Sequence, residues 1–242
     1  MQAADLHPGM AVLDVACGTG EPAISVASLL AGTGSVIGID ISSEPLKIAE
    51  QRAMTRGLKN ISFQQGDAHQ LPFADAMFDR ITSRLGIMFF ADTPRVFREM
   101  HRVMKPSGAV ALVSWGPFEN QPYFQSSIAT IVREVPGAVV PDTGASMFRY
   151  GEPGSVAREL EAAGFRDCRD ELKTVPWVWP GPPEQVWEYF QEATVPFRSL
   201  IDAIPPAERA RVEAAVLERI ASYYDGRQVN FTAAINLARA VA

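Results

Sequence analysis

Short apolar segments and longer amphipathic segments follow one another along the first half of the chain. The apolar segments predict five strands, at Ala11 to Ala16, Ser35 to Ile39, Ile61 to Gln65, Phe78 to Ser83 and Ala109 to Trp115. Helical spacing predicts crossover helices between them, at Pro22 to Leu30, Glu44 to Arg56 and Thr93 to Met104. Gly57 and the Pro106 to Gly108 segment are expected to stop the last two of these helices. Strands that alternate with helices in this way build a parallel sheet.

The second half of the chain is punctuated by Pro and Gly, and its pattern is looser. A helix is predicted from Ser155 to Ala163 and a long strand from Phe165 to Val178. The last strand is clearer, because apolar residues from Val229 to Leu237 alternate with other residues and give it two distinct faces. Residues 184–224, between these two strands, have helical spacing. We expect them to form a helical insert that packs as a cap over the sheet edge.

Composition narrows the class of protein. A length of 242 residues with 47% hydrophobic content fits one large α/β domain. The formal net charge of −6 argues against nucleic acid as a partner. The first residues lack a basic and apolar leader, and no apolar run is long enough to cross a bilayer, so we expect a cytoplasmic protein without membrane insertion. Two distant cysteines and three scattered histidines predict no metal site.

A glycine-rich turn follows the first predicted strand. Residues 12–20 read VLDVACGTG, so that a strand leads into a tight turn and then into a helix. Glycines let a ligand approach the backbone, and the amides at the start of the helix face that ligand. Gly18 to Ala23 also satisfies the Gly-x-Gly-x-x-Ala dinucleotide pattern, and Asp40 follows about twenty residues later. The turn predicts a nucleotide-type ligand but does not by itself decide which one.

Charge favours one of the two ligands. A dinucleotide presents an anionic pyrophosphate to this turn, whereas S-adenosylmethionine presents a sulfonium and an ammonium. Asp14 and Glu21 flank the turn, and Pro22 removes one N–H from the start of the helix. Asp14 is therefore expected to bind the ammonium, directly or through water. The alternative is an acid that only caps the turn.

Two further acids follow the second and third strands. Asp40 can accept both ribose hydroxyls, and Asp67 can accept the adenine amino group beside Ala68. Ligands of open α/β sheets bind at the carboxyl ends of the strands, where all three acids meet. The alternatives are an N-cap for Asp40 and a solvated turn acid for Asp67.

With these residues in place, the chain resembles the class I S-adenosylmethionine-dependent methyltransferases. Within them it is most similar to the type 11 branch, which includes ubiquinone and menaquinone C-methyltransferases. The resemblance covers residues 9 to about 116 and rests on four ordered motifs, at residues 12–20, 39–42, 67–73 and 102–108. It implies an α/β, Rossmann-like sheet of seven mostly parallel strands, with the last strand antiparallel, helices on both faces and a helical insert between the last two strands. It also implies S-adenosylmethionine as cofactor and S-adenosylhomocysteine as product.

The predicted cofactor site combines the residue reasoning with this resemblance. Its members are Asp14, Ala16, Cys17, Gly18, Thr19, Gly20, Asp40, Ile41, Pro45, Asp67, Ala68 and Ser83. The resemblance places Ser83 near the methionine part of the cofactor, and Ile41 and Pro45 beside the adenosine. Related chains usually have a helical segment before the first strand, which here begins by about Met10. We therefore expect the insert or a partner subunit to cover the cofactor, unless the chain is a shortened form.

The predicted organisation is a single methyltransferase domain over residues 1–242. Residues 1–116 form its cofactor-binding half, and residues 117–242 form its substrate-side half, with the helical cap at about 184–224. The sequence is compatible with a homodimer and does not decide the oligomeric state.

The acceptor is the least determined part of the prediction. The segment after the fourth strand lacks the Asn/Asp-Pro-Pro-Tyr sequence of amino-directed DNA methyltransferases, and no Pro-Cys marks a cytosine enzyme, so a small-molecule acceptor remains. Aromatic and thioether residues, among them Phe89 and Phe90, gather in and after this segment and predict an apolar or aromatic acceptor. The substrate-binding candidates are Arg84, Met88, Trp115, Tyr123 and Tyr150.

The reaction would be an in-line displacement, for which no protein nucleophile is required. The catalytic residue is unassigned, because none of the candidate bases has a spacing that fixes a partner; they are His69, His101, Glu119, Tyr123 and Tyr150. Two other functions stay open: a protein that binds S-adenosylmethionine or S-adenosylhomocysteine without catalysis, and an NAD(P)-dependent oxidoreductase.

Overall fold

The protein is described by a computed structural model that covers residues 4–30 and 32–242. In these ranges, seven strands form one sheet: β1 (Ala11–Val15), β2 (Ser35–Asp40), β3 (Ile61–Gln65), β4 (Phe78–Arg84), β5 (Met104–Trp115), β6 (Arg166–Pro180) and β7 (Gln228–Val241). Their order across the sheet is β3-β2-β1-β4-β5-β7-β6.

The helices of the described chain are α1 (Ala23–Leu29), α2 (Ser43–Thr55), α3 (Thr93–Val103), α4 (Pro122–Phe124), α5 (Thr130–Glu134), α6 (Asp142–Ala145), α7 (Ser155–Ala162), α8 (Pro183–Ala193), α9 (Arg198–Asp202) and α10 (Arg209–Ala221). Short 3-10 turns lie at Ile87–Phe89, Phe118–Asn120, Ser146–Phe148 and Val195–Phe197, and a π turn at Gln125–Ala129. In the part of the chain that the structure describes, no helix combines the length and the apolar character that crossing a membrane would need.

The first five strands are parallel, and their carboxyl ends reach the same edge of the sheet. β1 pairs with β2 through Val15 and Ile39, and β1 pairs with β4 through Leu13 and Ile81. β2 pairs with β3, and β4 with β5, in the same sense. The predicted fold class is confirmed, including the mixed sheet with its antiparallel last strand.

The chain divides into two compact units, and the first contains most of the parallel sheet. It comprises Met1–Ser114, Pro153–Glu171 and Asn236–Ala242. One of its cores forms where the small apolar side chains of α1, such as Val26 and Ala27, pack against Val12 of β1 and Val36 of β2. This packing fixes α1 against β1 and β2.

The second unit comprises Trp115–Glu152 and Leu172–Ile235. It contains α8 and α10 of the predicted helical insert, whose buried faces include Trp187 and Val216. They share one core with aromatic residues such as Tyr123, Phe124 and Phe231. The insert is therefore helical as predicted, while its position as a cap and the single-domain organisation stay predictions.

The structure corrects the boundary between α3 and β5. The sequence predicts a helix to Met104 and a strand from Ala109, with a stop between them, but β5 begins at Met104, which pairs with Phe78. The pairing register then shifts before Arg80 meets Ala109, and Ser107 adopts a left-handed φ of 67°. The Pro106 to Gly108 segment is thus an irregularity inside the strand rather than a gap before it.

Candidate cofactor site

The glycine-rich turn after β1 is held in a left-handed path. Ala16, Gly18 and Gly20 have φ values of 56°, 51° and 102°. The Cys17 N–H donates to the Ile39 carbonyl of β2 at 3.0 Å, which fixes the turn to the neighbouring strand. A Cβ built on Gly18 would meet nothing within 4 Å, so open space lies beside this backbone. The turn leaves room for a ligand to approach the main chain.

Asp40 connects the end of β2 to this turn. Its Oδ2 accepts a hydrogen bond from the Gly18 N–H at 2.8 Å, and its Oδ1 accepts one from the Ser42 N–H at 2.9 Å. The side chain is half-buried. Because each carboxylate oxygen has two lone pairs, both oxygens can still accept a ligand hydroxyl. Asp40 therefore combines an oriented carboxylate with a position beside the glycines.

Asp67 and His69 interact in the loop after β3. Asp67 Oδ1 accepts from the His69 N–H at 2.9 Å and lies 2.6 Å from His69 Nδ1. The backbone hydrogen bond from His69, and then the one from its ring, hold the pKa of Asp67 below its usual range. Asp67 is therefore an ionised, acceptor-only group at neutral pH.

These elements surround a cavity of about 470 Å³, a size typical of small-molecule sites. Most of the predicted cofactor residues line it: Ala16, Cys17, Gly18, Thr19, Asp40, Ile41, Asp67 and Ala68. Arg84, predicted to contact substrate, and His69 line it as well. The remaining described lining residues are Glu21, Ile39, Gly66, Leu85, Gly86, Phe89 and Phe90.

Asp14 lies behind this cavity rather than in its described wall. It is fully buried, and its two oxygens accept from the Ala23 N–H at 3.1 Å and from the Thr82 hydroxyl at 2.7 Å. Burial raises the pKa of Asp14 to about 7, although these two bonds and the charge of Arg84 lower it. In this position Asp14 holds the first N–H of α1, and its contact with an ammonium stays a prediction.

Ser83 lines a second cavity of about 270 Å³ within the first unit. This cavity shares Glu21 and Arg84 with the first one and also contacts Pro22 and Ser25. Ser83 is buried, and its hydroxyl has no hydrogen-bond partner among the described residues. A buried hydroxyl in this state is suited to a ligand that completes its hydrogen bonding.

Two other predicted cofactor residues do not line the described cavities. Gly20 permits close packing, because a Cβ there would lie 2.6 Å from the Ile24 side chain. Pro45 is half-buried in the first turn of α2. Their parts in cofactor binding stay predictions.

The charges around the first cavity are mostly negative. The described lining contains the carboxylates of Glu21, Asp40 and Asp67 and the guanidinium of Arg84. Glu21 also pairs with the half-exposed Arg56 at 3.1 Å. Burial raises the pKa of the Cys17 thiol, which therefore stays neutral. The wall is suited to a ligand with positive charge and hydroxyl or amino donors.

The remaining substrate candidates are not among the described residues that line either cavity. Met88 is buried in the first unit. In the second unit Trp115 stacks on Trp177, with ring centroids 5.4 Å apart, and Tyr123 is buried. Tyr150 is also buried and accepts a hydrogen bond from Arg149. Their contacts with substrate stay predictions.

The candidate bases have no geometry that singles one out. Both ring nitrogens of His69 are engaged, since Nδ1 faces Asp67 and Nε2 accepts from the Asp92 N–H at 3.2 Å. The ring of His101 packs edge-on against Phe165. Burial raises the pKa of Tyr123 further from neutrality. Glu119 is exposed in a 3-10 turn.

Four lining residues were missed by the sequence reasoning: Ile39, Gly66, Leu85 and Gly86. Leu85 has a φ of 58°, a conformation that a leucine in the sequence does not predict. This conformation directs the chain after β4 toward the turn after β1. Gly86 is the signal that could have found this segment, because a Cβ there would lie 2.6 Å from that of Ala16. Among the residues that the structure describes, no group of three or more His, Cys, Asp or Glu is arranged to hold a metal ion.

Comparison with known proteins assigns the family. Residues 6–139 match the family model described as a methyltransferase domain. A demethylmenaquinone methyltransferase from Geobacillus kaustophilus is 42% identical over 108 residues, which are 45% of this chain and 46% of that protein. Nocamycin O-methyltransferase from Saccharothrix syringae is 27% identical over 94% of this chain and 84% of its own length. The crystal structure of a candidate methyltransferase from Bacillus halodurans has a TM-score of 0.62 at 26% identity, and the match covers 100% of this chain and 96% of that one.

The chain therefore belongs to the methyltransferase-domain family, and the predicted resemblance is confirmed. It spans about half the length of the demethylmenaquinone methyltransferases that it matches.

Proposed function

We propose that this protein transfers the methyl group of S-adenosylmethionine to a small organic acceptor of the quinone or phenol type. The observation that carries the proposal is the position of Asp40, which faces a carboxylate-lined cavity while its Oδ2 accepts from the Gly18 N–H at 2.8 Å. This arrangement offers oriented acceptors for a ribose directly beside the turn that a nucleoside would approach.

The residues that line the two cavities fit S-adenosylmethionine better than a dinucleotide. Glu21 lies in the cavity wall at the start of α1, where it would repel a pyrophosphate, and Pro22 has no N–H to offer one. The unpartnered hydroxyl of Ser83 in the adjoining cavity supplies a further group for an amino-acid tail. When bound, S-adenosylmethionine supplies a methyl group on a positively charged sulfur.

The residues of the chain align the reactants. Asp40 would accept the ribose hydroxyls and Asp67 the adenine amino group, while the left-handed turn at Gly18 lets the ligand lie against the backbone. In-line displacement then needs alignment and exclusion of water rather than a protein nucleophile. We assign no catalytic base, because the nitrogens of His69 are both engaged.

The proposal for the acceptor class rests on the residues of the cavity wall and on the names of the relatives. Leu85, Phe89 and Phe90 add apolar side chains to the cavity wall, and Phe89 is exposed. Arg84 in the same wall can pair with the oxygen of a phenolate or a reduced quinone. One relative is named for demethylmenaquinone and another as an O-methyltransferase, so carbon and oxygen acceptors are both compatible with the family.

Calorimetric titration tests the cofactor. We expect saturable binding of S-adenosylmethionine and S-adenosylhomocysteine, and none of NAD or NADP. Asp40→Asn should weaken the binding of S-adenosylhomocysteine on the order of tenfold or more, since a charge-assisted hydrogen bond is lost. The matched control is Asp167→Asn, which changes an exposed aspartate of β6 that lies outside both described cavities.

Two results separate the remaining functions, and a third tests the role of Asp40. Binding of NAD or NADP alone would overturn the proposal in favour of an oxidoreductase. Binding of S-adenosylmethionine with no methyl transfer to any member of a broad panel of carbon, oxygen and nitrogen acceptors would support a non-catalytic binding protein. Equal losses in the Asp40 and Asp167 variants would mean that Asp40 does not contact the ligand.

A further inference from the structure

The imidazole of His69 bridges two loops at the edge of the first cavity. Nδ1 lies 2.6 Å from Asp67 Oδ1, and Nε2 lies 3.2 Å from the backbone nitrogen of Asp92. A backbone N–H can only donate, so Nε2 is the acceptor and the ring proton sits on Nδ1, where it is donated to Asp67. The ring also packs edge-on against Phe90, with centroids 6.1 Å apart. His69 is thereby held in one orientation and one tautomer.

This bridge uses one oxygen of Asp67 and leaves the other for a ligand. Oδ1 accepts from both the backbone N–H and the ring of His69. Oδ2 has no hydrogen-bond partner in the described ranges, and Asp67 lines the cavity. Its side chain is 53% exposed, so without the bridge it could rotate among several hydrated orientations.

The other end of the bridge is anchored to a helix. Asp92 is the N-cap of α3, and its Oδ1 accepts from the Arg95 N–H at 3.0 Å. The Asp92 N–H that reaches His69 therefore belongs to a residue fixed by the helix start. The position of the Asp67 carboxylate is in this way tied to α3 through the imidazole.

We propose that His69 is a positioning residue that fixes Asp67 so that its second oxygen accepts the amino group of adenine, making the site selective for a 6-amino over a 6-oxo purine. The inference rests on the proposed function, because it assigns a specificity device to the same cofactor cavity. An ionised carboxylate accepts from an amino group and repels a purine carbonyl, so a fixed carboxylate discriminates between them.

The test compares S-adenosylhomocysteine with S-inosylhomocysteine, its 6-oxo analogue, by calorimetry. The wild-type protein should bind the adenine ligand on the order of tenfold more tightly or better. Asp67→Asn should abolish this ratio. His69→Ala should lower it several-fold, through weaker binding of the adenine ligand and little change for the 6-oxo ligand.

Two substitutions at position 69 distinguish the bridging nitrogens. His69→Asn keeps an N–H donor near the place of Nδ1 and should retain most of the ratio. His69→Gln places its amide near Nε2 and should behave like His69→Ala. The matched control is His7→Asn, which alters an exposed histidine paired with Asp5 at 3.3 Å, away from both described cavities. Circular dichroism and thermal unfolding of each variant show that it is folded.

The outcomes are separable. If His69→Ala weakens both ligands equally, the residue is only structural and the inference is overturned. A wild-type protein that binds both ligands with equal affinity also overturns it, while the proposed function stands. Wild-type protein that binds neither ligand overturns the proposed function together with this inference.

Discussion

Asp14 is the acid whose environment in the structure differs most from that of a surface carboxylate. It is fully buried behind the glycine-rich turn and accepts from Ala23 and Thr82. Burial is the largest influence and raises its pKa to about 7. The hydrogen bonds offset only part of the loss of hydration, so the ionised side chain is costly in the folded state.

The free energy of unfolding should therefore depend on pH through Asp14. Its pKa is 3.8 in an unfolded chain and about 7 in the fold, so between these values the folded state holds a proton that the unfolded state lacks. Stability should fall as pH rises through this window, by up to roughly 4 kcal/mol, and the loss is complete above pH 7. Asp14→Asn removes the titration, so urea unfolding at pH 5, 6, 7 and 8 should give a flatter profile.

Asp167→Asn, an exposed substitution in the same unit, serves as the control for this experiment and should follow the wild-type profile. Parallel profiles for Asp14→Asn and the wild-type protein would show that Asp14 does not titrate in this range. The affinity of the Asp14→Asn variant for S-adenosylhomocysteine also tests the predicted ammonium contact. Unchanged affinity would limit Asp14 to holding the start of α1.

The sequence was sufficient to predict which acids lie at the site. It was not sufficient to predict which residues contact those acids. Asp40 and Asp67 follow predicted strands, and parallel strands bring their carboxyl ends to one edge. The buried Asp14 accepts a hydrogen bond from Thr82, which is 68 positions away in the sequence. The bridge from His69 to Asp92 likewise depends on how two loops meet. No local pattern records such contacts.

Among the connections between strands and helices, the turn after β1 and the turn after β4 lie very close to each other. A Cβ on Gly86 would lie 2.6 Å from Ala16 Cβ, which is closer than packed carbon atoms come. The backbone of Gly86 is not left-handed, with a φ of −110°, so the constraint there is space rather than conformation. The absent side chain lets both turns contribute to one cavity wall.

Gly86→Ala should push these two turns apart. We expect a loss of stability of about 1 to 3 kcal/mol, typical of overpacking, together with weaker binding of S-adenosylhomocysteine. The control is Gly57→Ala, at a φ of 67° with nothing within 4 Å of the new Cβ. It should cost stability through backbone strain and leave the affinity unchanged. Thermal unfolding and calorimetry measure both quantities, and normal affinity in Gly86→Ala would contradict the role given to this contact.

The strands and helices themselves were largely predictable. β1 to β4 end within one residue of the predicted positions, because alternating apolar residues and turn residues mark them. β5 was predicted to begin at Ala109, and its earlier start at Met104 arises from pairing with Phe78 across the sheet. The turn at Ile87–Phe89 was not predicted, since its apolar residues fit a helix or a strand equally well. The π turn at Gln125–Ala129 was not predicted either, because nothing in its QSSIA sequence distinguishes a π turn from an ordinary helical turn.

The charge of the whole molecule bears on the acceptor. The chain carries 28 acidic and 22 basic residues, a formal net charge of −6, and carboxylates of Glu21, Asp40 and Asp67 line its first cavity. A surface of this sign repels the phosphates of nucleic acids, whose binding normally depends on many basic contacts. A neutral or weakly anionic aromatic molecule meets no such barrier, and Arg84 offers one cation to its oxygen.

Methyl groups should therefore be transferred to small aromatic acceptors and not to nucleic acids. Incubation with S-adenosylmethionine carrying a tritiated methyl group is expected to place the label in the organic extract when a panel of quinols and phenols is supplied, with Asp40→Asn as the cofactor-binding control. DNA and RNA supplied in parallel should remain unlabelled at low and at physiological salt, because lower screening strengthens the repulsion. Label in nucleic acid that the control variant abolishes would overturn the acceptor class while leaving the methyl transfer itself intact.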